Sequence, residues 1–213
     1  GCLICSARDD GRYAVVDGQH RYNILKGAGY THVPCMVFPL SVIAEALAFI
    51  GANRDRNIMS ATALFWANIE ARDPVALKIK QITENSGFFI TKSLKGSGNG
   101  NPLEISAVGA LNSIYTRSAT GTLEETLSVM SVVWRNDSRR LKGTTLLAIS
   151  EYIRSAKSKR EYDRKKLVIA LSKMDVPTFQ EKLGQFCIMF GSGQKKGAST
   201  YSPQFIRTLI EAN

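Results

Sequence analysis

Histidine is almost missing from this chain. His20 and His32 are the only two among 213 residues, which excludes a His-rich metal site. Cysteine is sparse too, with Cys2, Cys5, Cys35 and Cys187. Cys2-x-x-Cys5 has the spacing of half a metal site, but no second pair completes a tetrahedral set, and Cys35 would bring the ligands only to three. No metal is expected; small apolar thiols alternating across a strand account for the pair. Four such thiols suit a reducing compartment, so the expected location is the cytoplasm. No run approaches the ~18 apolar residues of a membrane span, and no membrane partner is expected. Gly1 is followed almost at once by a strand-like segment, not by the basic and apolar regions of a secretory signal. Walker A, G-x-S-x-G and H-E-x-x-H motifs are absent, which excludes the enzyme classes they mark.

What is present is an ordinary globular composition, 44% hydrophobic and 22% charged, with ample length for a core. The charge balance is less ordinary. The net charge is +10 and the pI about 9.6. Residues 1–100 hold 11 basic against 8 acidic residues, and the stretch from Arg135 to Lys173 alone holds 12 against 4. Such a field favours polyanions and makes nucleic acid a candidate partner.

One stretch carries chemistry. Tyr13-Ala-Val-Val-Asp-Gly-Gln-His-Arg21 reads as a short strand, a turn at Asp17-Gly18, and the start of a helix. Gly18 admits close backbone approach, and the free N–H groups of a helix start carry the positive end of the dipole. With His20 and Arg21 on the same turn, this is a pattern for an anion, most naturally phosphate. Arg21 has two readings, a phosphate ligand or a salt bridge to Asp17. Asp17 is either a general base or a turn residue bonding the backbone, and His20 an acid or a phosphate ligand.

These residues resemble a family. Asp17-Gly18-Gln19-His20-Arg21 is similar to the DGQHR variant of the box shared by the ParB N-terminal domain and sulfiredoxin. The helix Tyr22–Lys26, the Gly27-Ala28-Gly29 end and the strand from Val33 follow in that family's order. Downstream, Asn53 to Ser60 resembles the ParB pattern Glu-Asn-x-x-Arg-x-x-Leu-Ser, with Asn53, Arg56, Met59 and Ser60 in register. The resemblance covers residues 1–70 and is nearest to ParB-like proteins of phages and mobile elements. It implies a nucleoside triphosphate, CTP or ATP with or without magnesium, held by Gly18, Gln19, His20, Arg21, Asn53 and Arg56, and a homodimer among the partners. It also implies a native N-terminus before Gly1. Together with the basic charge it makes nucleic acid the expected partner, DNA before RNA. Departures matter: Gln19 stands where sulfiredoxin has its catalytic Cys, and Ala52 where ParB has the glutamate of the second box. The catalytic candidates are therefore only Asp17 and His20.

The resemblance implies a domain boundary at residue 70, while the element pattern itself changes at Leu40-Ser41. Strands are expected at 2–6, 13–16 and 33–38 around a helix at 19–28. From Ser41 the pattern is helical. Ser41 and Ser60 read as N-caps, and Asp73 precedes Pro74 at a first helical position. A short strand falls at 88–91, followed by a mobile loop near 95–102. Further helices are expected at 103–117, 122–134, 143–157, 160–173 and 177–190, with a tail helix after Ser202-Pro203. The fold class is thus α+β: a small mixed-sheet domain at 1–70, then an all-helical domain at 71–213, predominantly α overall.

Arg154, Lys157, Lys159, Arg160, Arg164, Lys165 and Lys166 crowd one helix end and the next helix start. They are candidate phosphate contacts to nucleic acid, the alternative being a solvated face with some dipole compensation. Helices 160–173 and 177–190 are a candidate helix-turn-helix around Met174–Pro177, and the loop Gly191–Gly197 offers two more lysines. The function expected is that of a ParB-like nucleic-acid-associated protein with a phosphate or nucleotide turn. The alternatives are a ParB-like nuclease or nucleotide hydrolase or kinase, and a protein-interaction module with a vestigial box.

Overall fold

Leu3 and Cys5 face the same way on the first strand and are both buried, as period-two alternation requires. They belong to a computed structural model that describes residues 2–54, 60–92, 101–117, 121–190 and 198–212, apart from the side chains of 52–54 and 198–199. The chain divides into two compact units, residues 1–77 and 78–213.

In the first unit, β1 (Leu3–Ala7) lies between β2 (Tyr13–Asp17) and β3 (Cys35–Phe38), antiparallel to β2 and parallel to β3. Gly11, at φ +79°, closes the β1–β2 hairpin. The parallel pairing needs a crossover, which α1 (Gln19–Gly27) provides. Met36, Val37 and Phe38 leave large apolar surfaces exposed on β3, an edge of the sheet. α2 (Val42–Arg54) packs on β2 and against α3 (Ala61–Glu70). Three caps act where the sequence places them. Ser41 Oγ accepts the Ala44 N–H at 3.2 Å, Ser60 Oγ the Ala63 N–H at 3.2 Å, and Asp73 Oδ1 the Ala76 N–H at 2.8 Å. The last opens α4 (Pro74–Asn85), which begins in this unit and ends in the other. The Arg8 guanidinium makes a two-pronged ion pair with Glu45, tying the end of β1 to α2.

The second unit is helical apart from β4 (Phe89–Ile90) and β5 (Glu104–Ile105), a short parallel pair. α5 (Val108–Arg117), α6 (Thr122–Val132) and α10 (Ala198–Glu211) all pack on α7 (Gly143–Ser158). Eight residues of α7 are buried, and Gly143 sits 3.5 Å from the Ala110 Cβ, measured from where its own Cβ would be. α8 (Arg164–Ser172) packs against α6 and α10, and α9 (Val176–Phe190) against α10 and a 3₁₀ turn at Ser138–Leu141. α8 and α9 thus pack chiefly on other elements, not on each other as a helix-turn-helix would.

Arg140, in that 3₁₀ turn, is 1% exposed and has no carboxylate hydrogen-bonded to it among the described residues. It donates to the Val133 carbonyl at 3.0 Å and the Pro102 carbonyl at 3.1 Å and lies over the Phe88 ring. Its Nε has no partner among the described residues. Burial pulls its pKa down, and Arg135 adds to that.

The architecture is α+β and predominantly helical, as the patterning predicts. Several bounds differ. Residues 104–105 form a strand, so the helix expected from 103 starts at Val108. The helix expected from 160 starts at Arg164, because α7 ends in a turn through Arg160 and Asp163 caps α8. The tail helix starts at Ala198 and carries Pro203 in its interior. The expected loop at 95–102 lies outside the described residues up to Gly100, and the Gly191–Gly197 loop lies wholly outside them.

Candidate functional site

The first candidate is the turn between β2 and α1. Gly18 is the N-cap of α1 at φ +96°, the left-handed region that favours glycine. A Cβ there would also fall 2.7 Å from Leu3 Cδ2 and 2.8 Å from an Arg21 guanidinium nitrogen, two side-chain ends that would have to move aside. No side chain caps the helix from position 18, and its first turn holds no acidic residue. The first intrahelical bond runs from the Tyr22 N–H to the Gly18 carbonyl at 2.9 Å, which leaves the N–H groups of Gln19, His20 and Arg21 outside the ladder. Arg21 folds back over Gly18 and pairs with Asp17 at 3.1 Å, so the salt bridge is the reading of Arg21 that this structure displays. The cation is set against the positive end of a helix, where an anion would relieve it. Gln19 and His20 are exposed, and Gln19 bonds Asn23 at 3.3 Å.

The second box cannot be joined to this turn. Arg56 lies outside the described residues, and of Asn53 only the backbone, near the end of α2, is described.

The second candidate is the corner between α7 and α8. All seven basic residues lie there, but they are not equivalent. Arg154 is engaged by Glu151 at 2.6 Å, and Lys157 lies over the Tyr162 ring at 5.6 Å. Arg164 bonds Ser128 Oγ at 3.0 Å and lies 3.5 Å from Glu125. Among the described residues, the side chains of Lys159, Arg160, Lys165 and Lys166 make no hydrogen bond or ion pair. Arg160 itself adopts φ +59°.

The residues that hold this corner together were not among the sequence candidates. Tyr162 donates to Glu125 at 2.6 Å, and burial together with that bond drives the phenol pKa up. Glu125 thereby anchors Tyr162 and Arg164 to α6. Tyr162 and Glu125 are 37 residues apart, and no local pattern joins them. Asp163 did carry a signal: an Asp just before a helical run is an N-cap, and its Oδ1 accepts the Lys166 N–H at 3.1 Å.

Among the described residues, no group of three or more His, Cys, Asp or Glu is placed to hold a metal ion, and no helix is long and apolar enough to cross a membrane. Residues 5–196 match the model of DUF6551, a family of unknown function, and the chain belongs to that family. No curated protein and no solved structure matches the chain.

Proposed function

We propose that this DUF6551 member is a ParB-like nucleic-acid-associated protein. It holds a sugar-phosphate backbone on the α7–α8 corner and a phosphate group or nucleotide at the Gly18 turn. The observation that carries the reading is the first turn of α8. Arg164, Lys165 and Lys166 occupy its first three positions, where the helix dipole penalises cations. A solvated face would put acids there and lysines at the other end. Arg164 is met by Glu125, but Lys165 and Lys166 have no ion-pair partner among the described residues; an external anion accounts for them, and a row of phosphates supplies it. On this reading the protein acts in the cytoplasm of a bacterial or phage-infected cell.

The Gly18 turn fits one phosphate group. The N–H groups of residues 19–21 would cradle it and Arg21 would exchange Asp17 for it, with His20 alongside. A nucleotide bound there would bring the charge that orders the turn; the chain's part is to bind and orient it. The fit to magnesium is poor, because the one carboxylate at the turn, Asp17, already pairs with Arg21 and Ala52 replaces the second box's glutamate. The enzyme readings therefore draw no support from the geometry.

The test is the salt dependence of binding to duplex DNA. Replacing Lys159, Arg160, Lys165 and Lys166 together by Gln should lower affinity equally for unrelated sequences and flatten the log–log salt slope by about 0.9 for each phosphate no longer neutralised. Unchanged affinity and slope would make the corner a solvated face and favour the protein-interaction reading. For the turn, Arg21→Ala should weaken nucleotide binding by about 1.5–3 kcal/mol in calorimetry, the scale of a hydrogen bond to a charged group. Unaltered binding would remove Arg21 from the site.

A further inference from the structure

Beside the basic corner, the second unit has a cavity of about 270 Å³ between the end of α7, the start of α8 and α10. Tyr152 forms part of its wall and is 5% exposed. Among the described residues its hydroxyl makes no hydrogen bond. The ring is buried, but the hydroxyl is not sealed off with it and stays open to the cavity that Tyr152 lines. Burial raises its pKa, so it stays an O–H donor through neutral pH.

The charges around the cavity separate into engaged and unengaged groups. Arg207 donates to Glu161 at 3.0 Å, and Asp163 caps α8 through the Lys166 N–H. Lys166 and Glu211, both exposed residues, line the same cavity, and their side chains have no hydrogen-bond or ion-pair partner among the described residues. Ala156 and Ile210 add apolar wall.

We infer that this cavity binds a small zwitterion, a molecule that presents an anionic group to Lys166, an ammonium group to Glu211 and a hydrogen-bond acceptor to the Tyr152 hydroxyl. A simple anion would meet Lys166 and an Arg207 already paired with Glu161, but would sit among the carboxylates of Glu161, Asp163 and Glu211. A simple cation would leave Lys166 unpaired and repelled. Only a ligand with both signs uses the whole set, and the volume, just under the ~300 Å³ at which drug-sized sites begin, suits a short aliphatic one. The inference does not depend on nucleic-acid binding, although Lys166 faces both sites.

The test is calorimetric titration of the full chain with the ω-amino acids from glycine to 6-aminohexanoate, using alkanoates and alkylamines of matching length as single-charge controls. One chain length should bind saturably and at least about tenfold more tightly than either control, the scale of one charge-assisted hydrogen bond. Glu211→Gln should erase the preference over the alkanoate, and Lys166→Gln the preference over the alkylamine. Tyr152→Phe keeps the buried ring, so its melting temperature should hold while affinity falls about tenfold. Saturable binding by none of the amino acids would overturn the inference. So would an alkylamine that binds as tightly as the zwitterion, or a Tyr152→Phe variant of undiminished affinity.

Discussion

Two helices end on glycine and two on arginine in the same backbone conformation. After α1 and α4, Gly29 and Gly87 turn left-handed; after α3 and α7, Arg72 and Arg160 do so, at φ +58° and +59°. The bond pattern is shared. Gly87 donates to Glu84 and Phe88 to Thr83, just as Arg160 donates to Lys157 and Glu161 to Ala156, the paired bonds of a Schellman motif. Arginine in this conformation carries a steric cost that glycine avoids. Arg160→Gly and Arg72→Gly should therefore each raise stability by about 1 kcal/mol, read as a shift in denaturation midpoint. On the proposed function only Arg160→Gly should also weaken polyanion binding; equal effects of the two on binding would separate Arg160 from the interface. Arg140 makes the opposite case. Arg140→Met would leave the buried carbonyls of Val133 and Pro102 without their donor, and we expect a loss of about 2–4 kcal/mol in equilibrium unfolding.

At the scale of elements, α8 and the β1–α2 tie give the sharpest expectations. Lys165→Glu should stabilise by about 0.3–1 kcal/mol by matching the α8 dipole, and should weaken duplex binding at the same time. Denaturant unfolding together with a salt titration checks both halves. In the first unit, the Arg8 hydrogen bond holds Glu45 below the usual carboxylate range. A lowered folded-state pKa adds stability above the unfolded pKa and loses it as pH falls through the folded value. Acid should thus loosen this unit at pH values below ordinary glutamate titration, and Glu45→Gln should flatten that dependence when followed by Trp66 fluorescence. What the sequence disclosed at this scale was local chemistry. Ser41, Ser60 and Asp73 could be read as caps because the side chain and the N–H it accepts lie three residues apart. Gly18 could be read because a strand-to-helix turn at positive φ admits little else. Residues 104–105 could not, since a two-residue strand exists only through its pairing with Phe89–Ile90, distant in the sequence. Nor could Glu125, whose role at the corner depends on α6 reaching residues far along the chain. Tyr152 was hidden for a related reason: its spacing marks it as core, and only the assembled fold shows that it lines a cavity.

At the scale of the whole molecule, the apolar interior is unevenly shared. Of the buried hydrophobic residues among those described, six fall in residues 1–77 and twenty-nine in 78–213. Burial is the main stabilising term, so the first unit should unfold at lower denaturant than the second. The two tryptophans, Trp66 and Trp134, fall one in each unit and report them separately. In Trp134→Phe protein the Trp66 signal should change first on the denaturant axis, compared with Trp134 in Trp66→Phe protein. Coincident transitions would show one cooperative system instead. The second unit has its own source of cooperativity. A guanidinium does not shed its proton to enter an apolar interior, so Arg140 is settled only when its carbonyl partners are in place. Those partners, on Pro102 and Val133, precede it in the chain. During synthesis on the ribosome only water can serve these carbonyls until residue 140 has emerged, so their burial should follow it.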